Sequence, residues 1–280
     1  MRDMREVLDH LSNFPAIADH LETLRREMNF MGHESPSASL VREWHPYGYS
    51  ASRYLPLSLR PILEGLVITA GVAVGWHRAP SAIALSPAMG HGDNRLLMGH
   101  LIHVTKEYDG LSWAVDTLDI HTIGHLAACA LTSVNFAPRL DLIAAVPSSR
   151  GTNSLPFRIA KDISFLTRIR HAPSDTLFFA RLVEPIKETN DYWQKRAMLH
   201  MSIKGEGSIL LGRHVLLVDD VCRSGATFHE AARACIQAGA ASVAVLAVSK
   251  TFKFQRIPDP ESTQIRHSAL TQYPDGPLGS

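Results

Sequence analysis

Apolar positions along the first thirty residues recur at helical spacing: Val7, Leu8, Leu11, Phe14, Ile17, Leu21, Leu24 and Met28. That stripe predicts amphipathic helix. Pro15 cannot continue a helix from before it, so the stripe splits there, with Ser12 or Asn13 capping the second piece. Its apolar side is expected to pack on the rest of the protein or on a second copy. Gly32 to Pro61 carries prolines, serines and the aromatics Trp44, Tyr47, Tyr49 and Tyr54, and reads as loop. The short apolar runs Leu66–Trp76, Ala82–Leu85 and Leu96–Val104 then read as strands of a small appendage.

From Tyr108 onward strand and helix patterns alternate. Ile120–Val134 predicts a helix and Leu140–Val146 a strand. Ser154–Ile169 predicts a helix begun at Asn153 or Ser154, with Pro156 tolerated in its first turn. Thr176–Leu182, Val215–Val218 and Ser242–Val248 read as strands, and Thr227–Ala238 as a helix ended by Gly239. Val183–Gly207 is charged and lacks a clear period, the profile of a mobile lid. The expected fold class is α/β, a parallel sheet flanked by helices. Residues 1–105 form its helical and β-containing appendage, 106–255 the main domain and 256–280 a flexible polar tail.

Composition narrows the class. The 280 residues hold ample core, and 28 Lys and Arg against 27 Asp and Glu leave no overall field for nucleic acid or anionic lipid. Residues 1–60 carry seven arginines and no lysine against eight carboxylates, so a DNA-binding head is disfavoured. The cysteines Cys129, Cys222 and Cys235 show no paired spacing, which fits a reducing cytoplasm. The first residues lack a signal peptide's apolar core, and Leu66–Trp76 is too short to span a bilayer. His91, His100 and His103 fall near Asp93, but His-x-x-His without a framing carboxylate helix is a weak metal signal.

The chemistry concentrates in His214–Thr227. An apolar strand, Val215–Val218, leads to Asp219 and Asp220, then to Cys222-Arg223-Ser224-Gly225-Ala226-Thr227 and a helix. Open α/β sheets bind ligands at the carboxyl ends of their strands. A helix start with free N–H groups, a hydroxyl cap and the positive end of the dipole suits phosphate. Two acids beside a phosphate nest describe a sugar phosphate. A second strand ends at Ala145-Val146-Pro147 and turns through Ser148-Ser149-Arg150-Gly151. There glycine admits close backbone approach and arginine offers a fork to phosphate oxygens. Cys222 reads as a small filler rather than a nucleophile.

At these residues the chain resembles the type I phosphoribosyltransferases. The resemblance implies that Asp219 and Asp220 grip the ribose hydroxyls of phosphoribosyl pyrophosphate (PRPP). It also implies that Cys222–Thr227 bind its 5′-phosphate and Ser148–Gly151 its pyrophosphate. Lys187, Lys195 and Arg196 fall where the family brings lid cations over the reacting diphosphate. Mg²⁺ is the implied cofactor, held by Asp219 and Asp220 through ribose or water. Tyr108-Asp109-Gly110-Leu111 and Asp141–Pro147 are most similar to the ComF-like branch, over residues 106 to 250. That branch's four-cysteine zinc ribbon is absent, and Arg150-Gly151-Thr152-Asn153 stands where it often has Arg-Gly-Phe-Asn.

The implied reaction is displacement of pyrophosphate from ribose C1 by an unidentified acceptor. A PRPP-sensing regulator and a PRPP- or nucleotide-cleaving effector would need the same grips. Arg223 stands where the branch acting on 6-oxopurines holds an aspartate. It either points outward or faces the acceptor pocket, where it would favour an anionic substrate. A homodimer or a partner protein would use the N-terminal helix.

Overall fold

The computed structural model describes residues 15–34, 55–56, 68–79, 94–107, 116–132, 140–148, 154–181 and 192–251. Its centre is a six-stranded sheet. In chain order the strands are β1 (Leu55–Pro56), β2 (Ile68–Trp76), β3 (Leu142–Ala145), β4 (Arg170–His171), β7 (His214–Cys222) and β8 (Ser242–Lys250). Their spatial order is β1-β2-β8-β7-β3-β4, with β1 antiparallel and the other five parallel. A separate antiparallel pair joins β5 (Leu177–Phe179) to β6 (Ile203–Gly205).

The central strands are apolar throughout because both faces are covered. Along β7, Leu216 and Val218 enter one core and Val215 and Leu217 the other. Along β8, Ala244, Leu246 and Val248 alternate in the same way with Val243, Val245 and Ala247. The first core contains the helices α1 (Pro15–Glu34), α2 (Leu97–Glu107), α3 (Asp116–Thr132) and α4 (Leu155–Thr167). The second contains α7 (Ala226–Gln237) and the β5–β6 pair. Between them in sequence lie α5 (Tyr192–Leu199) and the single turn α6 (Gly207–Leu210).

Several expectations hold. Pro15 starts α1, Ser154 is the N-cap of α4 with Pro156 in its first turn, and Gly239 follows α7 at φ +90°. Ile17 and Leu24 of the N-terminal stripe are buried in this protein's own core. Residues 82–85, the start of the stripe and the tail 256–280 lie outside the described residues.

Three expectations are corrected. Leu96–Val104 is helix rather than strand: Leu97, Met98, Leu101, Ile102 and Thr105 are buried at helical spacing. A short apolar run cannot separate the two periods, and tertiary packing decides. Residues 68–107 are also no separate appendage. β2 pairs in parallel with β8, and a boundary at 105/106 cuts through α2, which packs in the main core. Finally, residues 192–207 of the expected lid are ordered as α5, β6 and the start of α6.

The reason lies in a buried network on α7. Glu230 accepts from the guanidinium of Arg233 at 2.6 and 2.8 Å and from the backbone N–H of Ile203 at 3.2 Å. Arg233 also donates to the Ile203 carbonyl at 2.7 Å, and Arg196 lies 3.6 Å from Glu230. Paired, hydrogen-bonded charges of this kind tie β6 and α5 to α7. Their polarity is what made the segment look like a solvated loop. Thr176–Leu182 likewise shrinks to β5, outside the main sheet.

Candidate active site at the carboxyl end of β7

β7 runs through Cys222, so the two acids lie within the strand rather than past its end. Strand alternation gives their side chains different surroundings. Asp220 Oδ2 meets Lys106 Nζ of α2 at 2.5 Å. Asp219 Oδ1 accepts from the backbone N–H of Asp220 at 2.9 Å. Burial, and then the charge of Asp220, hold the Asp219 carboxyl well above the usual carboxylate range. Such a pair favours an arriving cation or hydroxyl donors.

The chain then turns through Arg223 and Ser224 to Gly225, the N-cap of α7. Gly225 adopts φ +83°, a conformation open to glycine, and has no side chain of its own to cap the helix. The hydroxyl one residue earlier reaches the first turn instead: Ser224 Oγ accepts from the Ala226 N–H at 3.4 Å. Thr227 and Phe228, next in that turn, both line the cavity described below, where first-turn backbone N–H groups suit an anion. Ala226, the first helical residue, is itself buried. Cys222 is buried too, and burial pushes its thiol up to about 12, which suits a filler and not a nucleophile.

These residues line one cavity of about 400 Å³. Asp219, Asp220, Cys222, Arg223, Ser224, Gly225 and Thr227 all reach it, as does Lys195 from α5. Arg196 is not among the lining residues and lies 3.6 Å from Glu230 instead. On the other flank, Ala145 pairs with Val218, and the Val146 N–H donates to the Val218 carbonyl at 2.9 Å. The chain leaving β3 thus runs beside β7 up to Val146, and Ser148 does not line the cavity. Ser149, Arg150, Gly151 and Lys187 lie outside the described residues.

The remaining wall was missed by sequence reasoning. It comes from residues 77–106: His77, Arg78, Arg95, Ile102, His103 and Lys106. The linear signals were weak: Lys106 is the first lysine of the chain, and His103 stood out only as part of a His-x-x-His run. His77 is anchored by its N–H to the Lys250 carbonyl at 2.8 Å and by Nδ1 to Ser249 Oγ at 3.1 Å. Ser249 Oγ in turn donates to the Asp220 carbonyl at 3.4 Å, linking His77 to the acid pair's strand. Burial lowers the His77 imidazole to about 4, with help from Arg78, Lys106 and Arg223. That shift keeps the ring neutral at pH 7.

A second groove of about 530 Å³ lies between α3 and α4. It holds the His121–Asp162 pair at 2.8 Å and none of the residues singled out from sequence. Among the described residues no group of three or more His, Cys, Asp or Glu comes together to hold a metal, and no helix is long and apolar enough to cross a membrane.

No family model and no curated protein matches the chain. Among solved structures, it is similar to the allosteric regulatory enzyme of purine biosynthesis at 21% identity and a TM-score of 0.33. That match covers 46% of this chain and 25% of the other. Similarity to glutamine phosphoribosylpyrophosphate (PRPP) amidotransferase from B. subtilis, complexed with ADP and GMP, has the same identity, TM-score and share of this chain. It covers 26% of that protein. The chain thus spans about a quarter of the length of each.

Proposed function

We propose that this protein is a type I phosphoribosyltransferase-like enzyme that binds Mg-PRPP and transfers the ribose 5-phosphate to an acceptor. One observation carries the reading: the acid pair Asp219–Asp220 and the start of α7 at Gly225 line the same cavity. The acids accept from ribose hydroxyls while the helix start holds the 5′-phosphate. Ser148, Ser149, Arg150 and Gly151 are assigned to the pyrophosphate. Lys195, and Lys187 beyond the described residues, are assigned to the charge that grows on it. Within the family we place the chain nearest the ComF-like branch, in the cytoplasm, on the sequence grounds given above.

The donor set fits Mg²⁺. Asp219 carries a cost of burial and like charge that a cation relieves, and carboxylates with waters are the ligands Mg²⁺ prefers. Asp219 and Asp220 would hold it through ribose oxygens and water, and when bound it would take part of the leaving group's charge. The protein's own task is positioning and electrostatics. The carboxylates orient the ribose and stabilise the positive charge that develops on its ring, while Lys195 stands at the cavity for the departing diphosphate.

Calorimetric titration with Mg-PRPP, followed by a pyrophosphate-release assay with and without acceptors, tests this. Binding with acceptor-dependent release is expected. Release without acceptor would instead identify a PRPP-cleaving effector, and tight binding without release a sensor. Absence of PRPP binding overturns the assignment.

A further inference from the structure

We propose that the acceptor used at this site is anionic, a compound bearing a carboxylate or phosphate that docks between Arg78 and Arg223. The inference rests on the PRPP reading above and names what that reading leaves open. Within the cavity, the acid pair and the start of α7 come from the β7–α7 unit and face the sugar phosphate. The rest of the lining, from residues 77–106, is left for the acceptor.

That wall contributes Arg78, Arg95 and Lys106 and no carboxylate among the described lining residues, and Arg223 comes up to meet it. Lys106 is engaged by Asp220. Arg78 and Arg223 are both exposed, both line the cavity with His77, and both lie close enough to lower its imidazole electrostatically. Guanidinium forks recognise carboxylate and phosphate in two-point geometry, and a neutral base leaves them unmatched.

The wall also bears on the chemistry. A lone pair on the acceptor bonds to ribose C1, and the C1–O bond breaks with its electron pair leaving on pyrophosphate. If the attacking nitrogen carries a proton, that proton must go to a base or to water. Outside the acid pair the described lining offers only the imidazoles of His77 and His103 for that task. An acceptor that arrives with a free lone pair needs neither.

Two matched pairs test the charge requirement: nicotinate with nicotinamide, and orotate with uracil. Binding to the Mg-PRPP-loaded protein is read by ligand-observed NMR, and turnover by pyrophosphate release. The carboxylated member of at least one pair is expected to bind about tenfold tighter, in keeping with a charged hydrogen bond. Arg78→Gln and Arg223→Thr should each narrow that ratio. The ratio compares two acceptors in one protein, so a variant that folds poorly or holds PRPP weakly lowers both terms alike. PRPP binding with equal or weaker affinity for both carboxylates overturns this inference alone. A ratio unchanged in both variants removes the assignment to Arg78 and Arg223. If calorimetry finds no PRPP binding, the reading beneath it falls as well.

Discussion

Lys106 Nζ on α2 lies 2.5 Å from Asp220 Oδ2 on β7. The contact joins a segment that looks like an appendage in sequence to the strand that carries the acids. It offsets the charge of one of two adjacent, half-buried carboxyls and holds the end of α2 at the cavity. Removing it by Lys106→Met should cost about 1 kcal/mol, since the lysine is partly exposed and the pair is screened. Thermal unfolding of Lys106→Met, Asp220→Asn and the double variant at low and high salt checks this. Additive losses would show that the two residues are not coupled.

Asp219→Asn and Asp220→Asn should each weaken PRPP binding by about 1.5–3 kcal/mol, the worth of a charged hydrogen-bond partner. The loss should be visible in calorimetric titration. Wild-type affinity in both variants would place the ribose elsewhere.

Gly99 lies where α2 crosses the chain after β2, and a Cβ there would overlap the His77 carbonyl oxygen. Backbone cannot yield as a flexible side chain does. Gly99→Ala should therefore push α2 outward, costing about 1–3 kcal/mol in stability. It should also loosen the Lys106–Asp220 contact. Denaturant unfolding, together with PRPP affinity, reads both effects. An alanine variant of unchanged stability would contradict the packing.

Glu27 on α1 accepts from the Leu97 N–H at 2.7 Å, holding the start of α2, and burial raises its carboxyl to about 7. The folded form therefore keeps a proton that the unfolded chain loses above about 4.5. The sign follows from linkage: stability from this group is full below pH 4.5 and declines as pH rises toward 7, by on the order of 3 kcal/mol. Glu27→Gln keeps the acceptor oxygen and should remove that decline, so the variant gains on wild type from pH 4.5 to 7. His77, lowered to about 4, works oppositely: its contribution is present above 6.5 and falls as pH drops through 4. Unfolding free energies of the wild type and Glu27→Gln across pH 4 to 8 separate the two. Parallel curves would exclude the role given to Glu27.

What the sequence determined by itself is local. A run of apolar residues buried on both faces, two acids, a glycine that tolerates φ +83° and an apolar-striped helix encode β7, its turn and α7 within one continuous stretch. Pro15, Ser154 and Gly239 marked helix ends through the same short-range chemistry. Tertiary structure decided whatever depended on distant partners. Leu97–Glu107 is helical because its buried positions meet other helices and β2, which no periodicity in so short a run reveals. Arg196 and Lys195 are neighbours in sequence, yet one turns to Glu230 and the other to the cavity, because docking on α7 sets the rotation of α5. Lys106 reaches Asp220 only because β2 joins the sheet beside β8 and brings α2 with it. Charge and hydrogen bonding act through space, and the fold determines which residues share it.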